Sequence, residues 1–212
     1  TINTTWSELL ESVTRELVDT GVYDEINDLE DRLRTAINMY CEGSGYFAYT
    51  ELSDGTYTIR KVNDTTLESM PSEVVIPNGY KGKKVTTIGD SAFDASSCDS
   101  PIVRVYIPRT IHAIAVYAFY SCLELEEVVF EGSGLLRILQ RAFEGCTKLS
   151  KITLPSTVTV IGMSAFSSCS GITTIKFPSG LQSIGETAFE ACNLTGKIVI
   201  PASVTSIGSS AF

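Results

Sequence analysis

The stretch LSKITLPSTVTVIGMSAF, from Leu149 to Phe166, decides the fold, because close copies of it precede and follow it. Its last six residues form the signature I-G-x-x-A-F, which occurs six times with small variations. The signature closes at Phe93, Phe119, Phe143, Phe166, Phe189 and Phe212, so the spacing settles at 23 residues. A fixed period of this length is typical of stacked repeats and not of an ordinary globular core.

Each copy also contains a short strand pattern in which two apolar residues flank a middle residue. These segments are Val74–Ile76, Val105–Ile107, Val128–Phe130, Ile152–Leu154, Ile175–Phe177 and Ile198–Ile200. Successive side chains of a strand point to opposite faces. We therefore predict a parallel sheet whose apolar positions lie inside and whose middle residues lie outside. A proline such as Pro155 lacks an N–H and ends the hydrogen-bond ladder.

The N-terminal residues 1–45 have the pattern of two helices. Thr5 and Glu8 have the spacing of a capping box, and apolar residues follow at helical spacing as far as Gly21. A second helix is predicted from about Asp24 to Met39. Repeat arrays need their ends covered, which favours a cap. The alternative is an interaction module.

Between Tyr46 and Val62 the apolar residues alternate on both sides of Asp54-Gly55, which predicts a β-hairpin. The predicted organisation is a two-helix cap over 1–45, a hairpin region over 46–73 that leads into the array, and a solenoid of five to six units over 74–212. Within the solenoid, residues 78–84 are rich in turn formers and are interpreted as an insertion.

The repeat resembles a known group, the BspA-like leucine-rich repeats. The pattern L-x-x-I-x-L-P-x-x-V-x-x-I-G-x-x-A-F-x-x-C is nearly intact at Leu149–Cys169 and again at Ile172–Cys192. The resemblance covers about Val74 to Phe212 and implies a curved solenoid exported to a bacterial surface, with a role in adhesion. The predicted fold class is accordingly α/β, a leucine-rich-repeat solenoid with a parallel β-sheet on the concave face and an N-terminal helical cap.

The composition is that of a folded chain: of 212 residues, 43% are hydrophobic and 19% are charged. The formal net charge is −9, and residues 1–42 hold ten acids against three arginines. Proteins that follow a phosphate backbone need a basic stripe, and none is visible in the sequence. Nucleic acid is therefore disfavoured as a partner, and the apolar runs are too short to span a membrane.

Four cysteines take the third place after the signature Phe, namely Cys122, Cys146, Cys169 and Cys192. Neighbouring repeats could bring them within disulfide range, but a uniform row offers no reason to pair two and not others. We favour a ladder of small buried side chains. One thiol per turn also gives a row and not a converging set of four ligands, so no metal site is predicted.

His112 is the only histidine and is expected to be exposed in the outer segment of its repeat. A hydrolytic site would need a nucleophile and an orienting acid held against it. The sequence contains none of the usual hydrolase, zinc-protease or phosphate-loop motifs. No catalytic residue and no cofactor are predicted.

The outward positions of the predicted sheet are the candidate ligand-binding residues, because solenoids use such extended surfaces for partners. They are Tyr106, Arg104, Val129, Glu127, Thr153, Lys151, Lys176 and Thr174. Tyr106 beside Arg104 is the preferred anchor, since aromatic and Arg side chains often dominate interfaces. The alternative is an ordinary sheet face in which exposed Val and Thr only suit strand propensity.

The predicted function is a non-catalytic binding module that adheres to a host matrix protein or glycan, or to another microbe, outside the cell or at its surface. The alternative is a structural spacer that presents another domain of a longer surface protein. The sixth signature ends at Phe212, and an open end of this kind would expose apolar side chains. We expect either that the natural chain continues or that two such ends pack together as a dimer.

Overall fold

The structure, a computed structural model, describes residues 38, 41, 44–61, 63 and 67–212. Most of the predicted two-helix cap lies outside these residues, although Asn38, Cys41 and Ser44 have helical backbone. Leu67 and Glu68 also have helical backbone, and the other described residues form strands, turns and irregular segments. The α/β class and the helical cap therefore stay predictions, whereas the parallel β-solenoid is observed.

Thirteen strands occur in the described residues. They are β1 (Phe47–Glu51), β2 (Tyr57–Lys61), β3 (Glu73–Val75), β4 (Gly79–Tyr80), β5 (Lys83–Ile88), β6 (Arg104–Pro108), β7 (Ala113–Ile114), β8 (Glu127–Glu131), β9 (Arg137–Ile138), β10 (Lys151–Ile152), β11 (Val160–Ile161), β12 (Ser183–Ile184) and β13 (Ser206–Ile207).

One sheet runs along all six repeats and is called the long sheet here. Its order is β1-β2-β5-β7-β9-β11-β12-β13, and β4 pairs with β5. Apart from the antiparallel pair of β4 and β5, the strands are parallel from β2 onwards. The signature isoleucines pair in register, as Ile161 does with Ile138 and Ile184. The sequence analysis assigned no strand to this segment, because two-residue strands are too short to show a period of two.

The predicted parallel sheet is present but covers fewer repeats, and is called the short sheet. Its order is β10-β8-β6-β3, with five paired positions between β6 and β8 but only two between β8 and β10. The expected strands at Ile175–Phe177 and Ile198–Ile200 are absent. In the last of these repeats Thr195 stands where Leu149 is fully buried in its copy, so the strand lacks the apolar anchor that holds it to the core.

Stacked phenylalanines form the centre of the core. The rings of Phe93, Phe119, Phe143, Phe166, Phe189 and Phe212 follow one another with centroid distances of 5.0, 5.1, 5.3, 5.3 and 5.6 Å. The interplanar angles are 12° or less. Because the repeat is regular, each ring lies above the equivalent ring of the neighbouring repeat. The repeat period therefore sets how far neighbouring rings are offset from one another.

Backbone hydrogen bonds around these rings also link each repeat to the next. The amide of each of the first five signature Phe residues donates to the carbonyl of the signature Ala in the next repeat, as Phe143 does to Ala165 at 2.8 Å. The residue before the Ala adopts a left-handed conformation in every repeat, with φ between 50° and 58°, and this conformation directs the Phe amide towards its acceptor. These residues are Ser91, Tyr117, Arg141, Ser164, Thr187 and Ser210. L-residues generally avoid this conformation, but the backbone hydrogen bonds between repeats stabilise it here.

The glycine of the signature allows close stacking in the later repeats. A Cβ on Gly162 would lie 2.6 Å from the carbonyl carbon of Leu139, and one on Gly185 would lie 2.4 Å from that of Gly162. The second and third repeats carry Ala115 and Leu139 at this position. In the later repeats the backbone of the preceding repeat therefore comes so close that this position requires glycine.

The N-terminal side of the array is covered by described residues. Phe47 of β1 packs edge-on against Phe93 at 6.2 Å, and β2 pairs with β5 of the first repeat. Cys41 is 3% exposed and donates from its thiol to the carbonyl of Val75. These contacts bring the residues before the hairpin against the first strand of the short sheet.

Candidate binding face

The short sheet brings together five of the eight predicted site residues. Arg104, Glu127 and Lys151 are aligned across β6, β8 and β10, and Tyr106 is aligned with Val129. Thr153 follows β10 directly, whereas Thr174 and Lys176 lie outside any strand. We call the surface formed by Arg104, Tyr106, Glu127, Val129 and Lys151 the sheet face.

Arg104 joins three neighbouring strands of this sheet. Its Nη1 lies 2.6 Å from Oε1 of Glu73, and its Nε lies 2.7 Å from Oε2 of Glu127. A hydrogen bond to Glu127 is the main cause that raises the pKa of Arg104 above its ordinary value, and a hydrogen bond to Tyr106 is the second cause. The arginine is therefore held in place by two carboxylates before any ligand arrives, which the sequence analysis did not foresee.

Glu73 has a second feature of interest. Its Oε2 atom is buried and has no hydrogen-bond partner among the described residues. Buried polar atoms are normally paired. The three charged side chains together carry one net negative charge, so this part of the sheet face offers an acceptor beside a fixed guanidinium.

The sheet face changes in charge and exposure along the array. Tyr106 and Val129 are half-buried, whereas Lys151, Thr153, Thr174 and Lys176 are exposed. The side near β3 holds Arg104 and Glu127 with Glu73 beside them, and the other side holds Lys151, with Lys176 exposed beyond the sheet face. A partner that runs along this surface would meet opposite charges at its two ends.

Four cysteines form the predicted ladder, in which Cys122, Cys146 and Cys169 are buried and Cys192 is half-buried. Cys122, Cys146, Cys169 and Cys192 each donate from Sγ to the carbonyl of the signature Phe of the preceding repeat, at 3.0 to 3.1 Å. All described cysteines are free thiols. The disulfide alternative is therefore not supported. Burial raises the pKa of Cys122 to about 12, which keeps that thiol protonated and unreactive at neutral pH.

Three observations concern catalytic chemistry, metal ions and membranes in the described part of the chain. His112 is exposed, as expected, just before β7. No group of three or more His, Cys, Asp or Glu side chains among the described residues could hold a metal ion. Within the same residues, no helix has the length and apolar character needed to cross a membrane.

Several solved structures resemble this chain. A leucine rich cell surface protein from Faecalibacterium prausnitzii is 28% identical over 79% of this chain and 50% of its own, with a TM-score of 0.58. The leucine-rich repeat protein of T. pallidum is 25% identical over 77% of this chain and 83% of its own, with a TM-score of 0.57. The pneumococcal vaccine antigen PcpA, at 24% identity and a TM-score of 0.63, shares the fold over 78% of this chain and 45% of its own.

This chain thus spans half the length of the F. prausnitzii protein. No curated protein matches the chain significantly. The model of the BspA type leucine rich repeat region matches residues 86–212 in six copies. This match confirms the resemblance drawn from the repeats, and the chain belongs to the BspA-type leucine-rich repeat family.

Proposed function

We propose that this chain is a non-catalytic binding module that works outside the cell or at a bacterial surface. Its family, and the description of the F. prausnitzii protein as a cell surface protein, support that location. The repeats support an interaction or structural role. The finer proposal is adhesion to a host matrix protein or glycan through the sheet face.

The observation that carries this proposal is the fixed arginine on the sheet face. Arg104 is already oriented by Glu73 and Glu127, so a ligand need not order that side chain, and less entropy is lost on binding. Tyr106 lies on the same strand and supplies a half-buried aromatic ring. Fixed aromatic and Arg side chains are typical anchors of protein interfaces.

Binding can be tested by biolayer interferometry against extracellular-matrix proteins, mucins and bacterial polysaccharides. Tyr106→Ala should weaken saturable binding about tenfold or more, as expected for an interface anchor. Tyr120→Ala is the matched control, because Tyr120 lies in the turn after Phe119 and outside the sheet face. Arg104→Ala is less suitable, since it would leave two carboxylates unpaired and lower stability as well.

The alternative function is a spacer that presents another domain of a longer surface protein. The backbone ladder that links every repeat to the next favours it, because such an array is stiff along its length. Absence of binding across the whole panel would favour the spacer. Equal loss of binding in Tyr106→Ala and Tyr120→Ala would also argue against the sheet face.

We further propose that two copies of this chain associate through the edge of the sixth repeat. Val199, Ile207 and Phe212 are 63%, 48% and 48% exposed there. Exposed apolar groups of this kind favour association. Light scattering over a range of protein concentrations should show a growing dimer, and Val199→Lys should suppress it. A monomer at every concentration would exclude the dimer.

A further inference from the structure

A cleft of about 680 Å³ lies between the β4–β5 hairpin and the turn that follows β6. Its walls are formed by residues 78–84, Arg109 and Thr110, with Asn38 and His112 at its sides. The hairpin wall is the turn-rich insertion of the first repeat. The cleft is therefore a local addition to the solenoid, and the later repeats do not contain this insertion.

The cleft is strongly basic in an acidic protein. Lys81, Lys83, Lys84 and Arg109 line it, and none of its described lining residues is acidic. Lys83 also pairs with Glu51, which does not line the cleft. Charges of one sign on the walls of a cleft focus the potential and attract ions of opposite sign. The cleft is thus suited to an anionic ligand, although the whole chain carries −9.

Contacts behind the cleft hold its hairpin wall in place. Asn38 donates from Nδ2 to Oδ1 of Asn78 at 2.7 Å and accepts from the backbone amide of Asn78 at 3.1 Å. The ring of Tyr80 is stacked on Tyr49 at 3.8 Å and meets Tyr57 edge-on at 5.2 Å. The basic residues therefore project from a braced hairpin, which lowers the cost of ordering them around a ligand.

Thr110 adds a hydrogen-bonding group to the opposite wall. Its hydroxyl oxygen is buried and has no partner among the described residues. A buried hydroxyl normally has one. Once the Thr110 side chain turns towards the cleft, a ligand that carries hydroxyl groups beside its acid groups would supply it.

We propose that this cleft binds an anionic oligosaccharide, a short sugar chain that bears sulfate or carboxylate groups. Sugar hydroxyls suit Thr110, and acid groups suit the lysines and Arg109. The volume falls within the usual range of small-ligand sites. A nucleic acid fits less well, because it is a longer polyanion and the chain as a whole carries −9.

Isothermal titration of the full chain tests this assignment with three probes of equal length: a heparin-derived hexasaccharide, a hexagalacturonate and neutral maltohexaose. We expect binding of one or both anionic probes, weakening with added salt, and none of the neutral probe. Binding of the first alone identifies sulfate as the group recognised, and binding of both identifies either acid group. Lys84→Glu should lower the affinity about tenfold.

Lys197→Glu is the matched control, because it makes the same charge change at another exposed lysine. It should retain the affinity of the parent chain. Equal losses in the two variants, binding of a single-stranded hexanucleotide as tight as that of the sugars, or no binding of either anionic probe would overturn the assignment. Melting temperatures of both variants verify folding, and Lys84→Gln replaces Lys84→Glu if that variant does not fold.

The cleft and the sheet face are separate in these tests. Tyr106→Ala should leave binding of the anionic sugar unchanged, because Tyr106 does not line the cleft. Thr110→Val keeps the shape of the side chain but removes its hydroxyl, and should weaken sugar binding about threefold. A failure of the sheet-face proposal would leave these results unaffected.

Discussion

The first and the sixth repeat carry the same signature but differ in what covers it. In the first repeat Phe93 is fully buried between Phe119 and the edge of Phe47. In the sixth repeat Phe212 stacks on Phe189 and is 48% exposed. Ile88 and Ile207 differ in the same way, at 0% and 48%.

This difference shows that burial in the array is supplied by neighbours and not by the repeat itself. Each unit is too thin to enclose its own apolar residues, so its core exists only where another layer lies on each side. A substitution should therefore have different effects at a central and a terminal copy of the same position. Three predictions test how far this holds.

The largest difference is expected for the stacked rings. Phe143→Ala should lower the free energy of unfolding by about 3–5 kcal/mol, because it leaves a cavity between two rings. Phe212→Ala should cost about 1 kcal/mol, since roughly half of that side chain is already exposed to water. Urea denaturation monitored by circular dichroism measures the free energy of unfolding of both variants. Similar losses in the two would refute the idea that burial of a ring depends on neighbouring repeats.

For the signature glycine we expect a smaller loss of stability, and the same loss in the fifth and in the sixth repeat. A Cβ on Gly185 or Gly208 would clash with the backbone of the preceding repeat, at 2.4 and 2.2 Å. That neighbour is present in both cases, so each substitution by Ala should cost about 1–3 kcal/mol.

Gly180→Ala is the control for this pair, because a Cβ there would meet only the carbonyl oxygen of Ser156, at 3.6 Å. Its unfolding midpoint should stay close to that of the parent chain. A mild effect at Gly208 alone would show that the sixth repeat is loosely attached.

The smallest effect concerns the buried thiols. Burial raises the pKa of Cys122 to about 12 from the ordinary value of 9.0, so the folded state holds this proton more tightly than the unfolded state. Stability from this group is complete below pH 9 and falls as the pH rises towards 12, by about 1 kcal/mol per pH unit. Cys122→Ala should make the decline of the unfolding midpoint between pH 8 and pH 10 less steep.

Ser167→Ala, a buried side chain that does not titrate, should keep the slope of the parent chain. Cys192→Ala should make the decline less steep as well, because burial also raises the pKa of Cys192 to about 12, although its thiol is only half-buried. An unchanged slope in the Cys192→Ala variant would show that the sixth repeat leaves this thiol open to water.

The sequence predicted the stacking direction, the buried thiols and the register of the short sheet, because identical side chains recur at one period. It did not predict the long sheet, since strands such as β11 contain only two residues. Nor did it predict the left-handed backbone at Tyr117 and Arg141, because these residue types disfavour it and only the inter-repeat hydrogen bonds stabilise it.

The candidate site was predictable in part for the same reason. The repeat period aligned Arg104 with Glu127 and Tyr106 with Val129, but the period gives positions and not side-chain conformations, so the double ion pair of Arg104 was missed. Thr174 and Lys176 were expected on a strand, but the short sheet ends before them. The basic cleft was missed because Lys84 and Arg109 are far apart in the sequence and meet only through the fold.

The backbone ladders give the array one more property. The amide of Gly162 donates backwards to Ile138 on the long sheet, while the amide of Phe143 donates forwards to Ala165 around the ring stack. In an α-helix all such bonds point the same way and their dipoles add. Here the two sets oppose each other, so their dipoles largely cancel along the axis. A solenoid of this kind can lengthen by whole repeats without accumulating opposite partial charges at its ends.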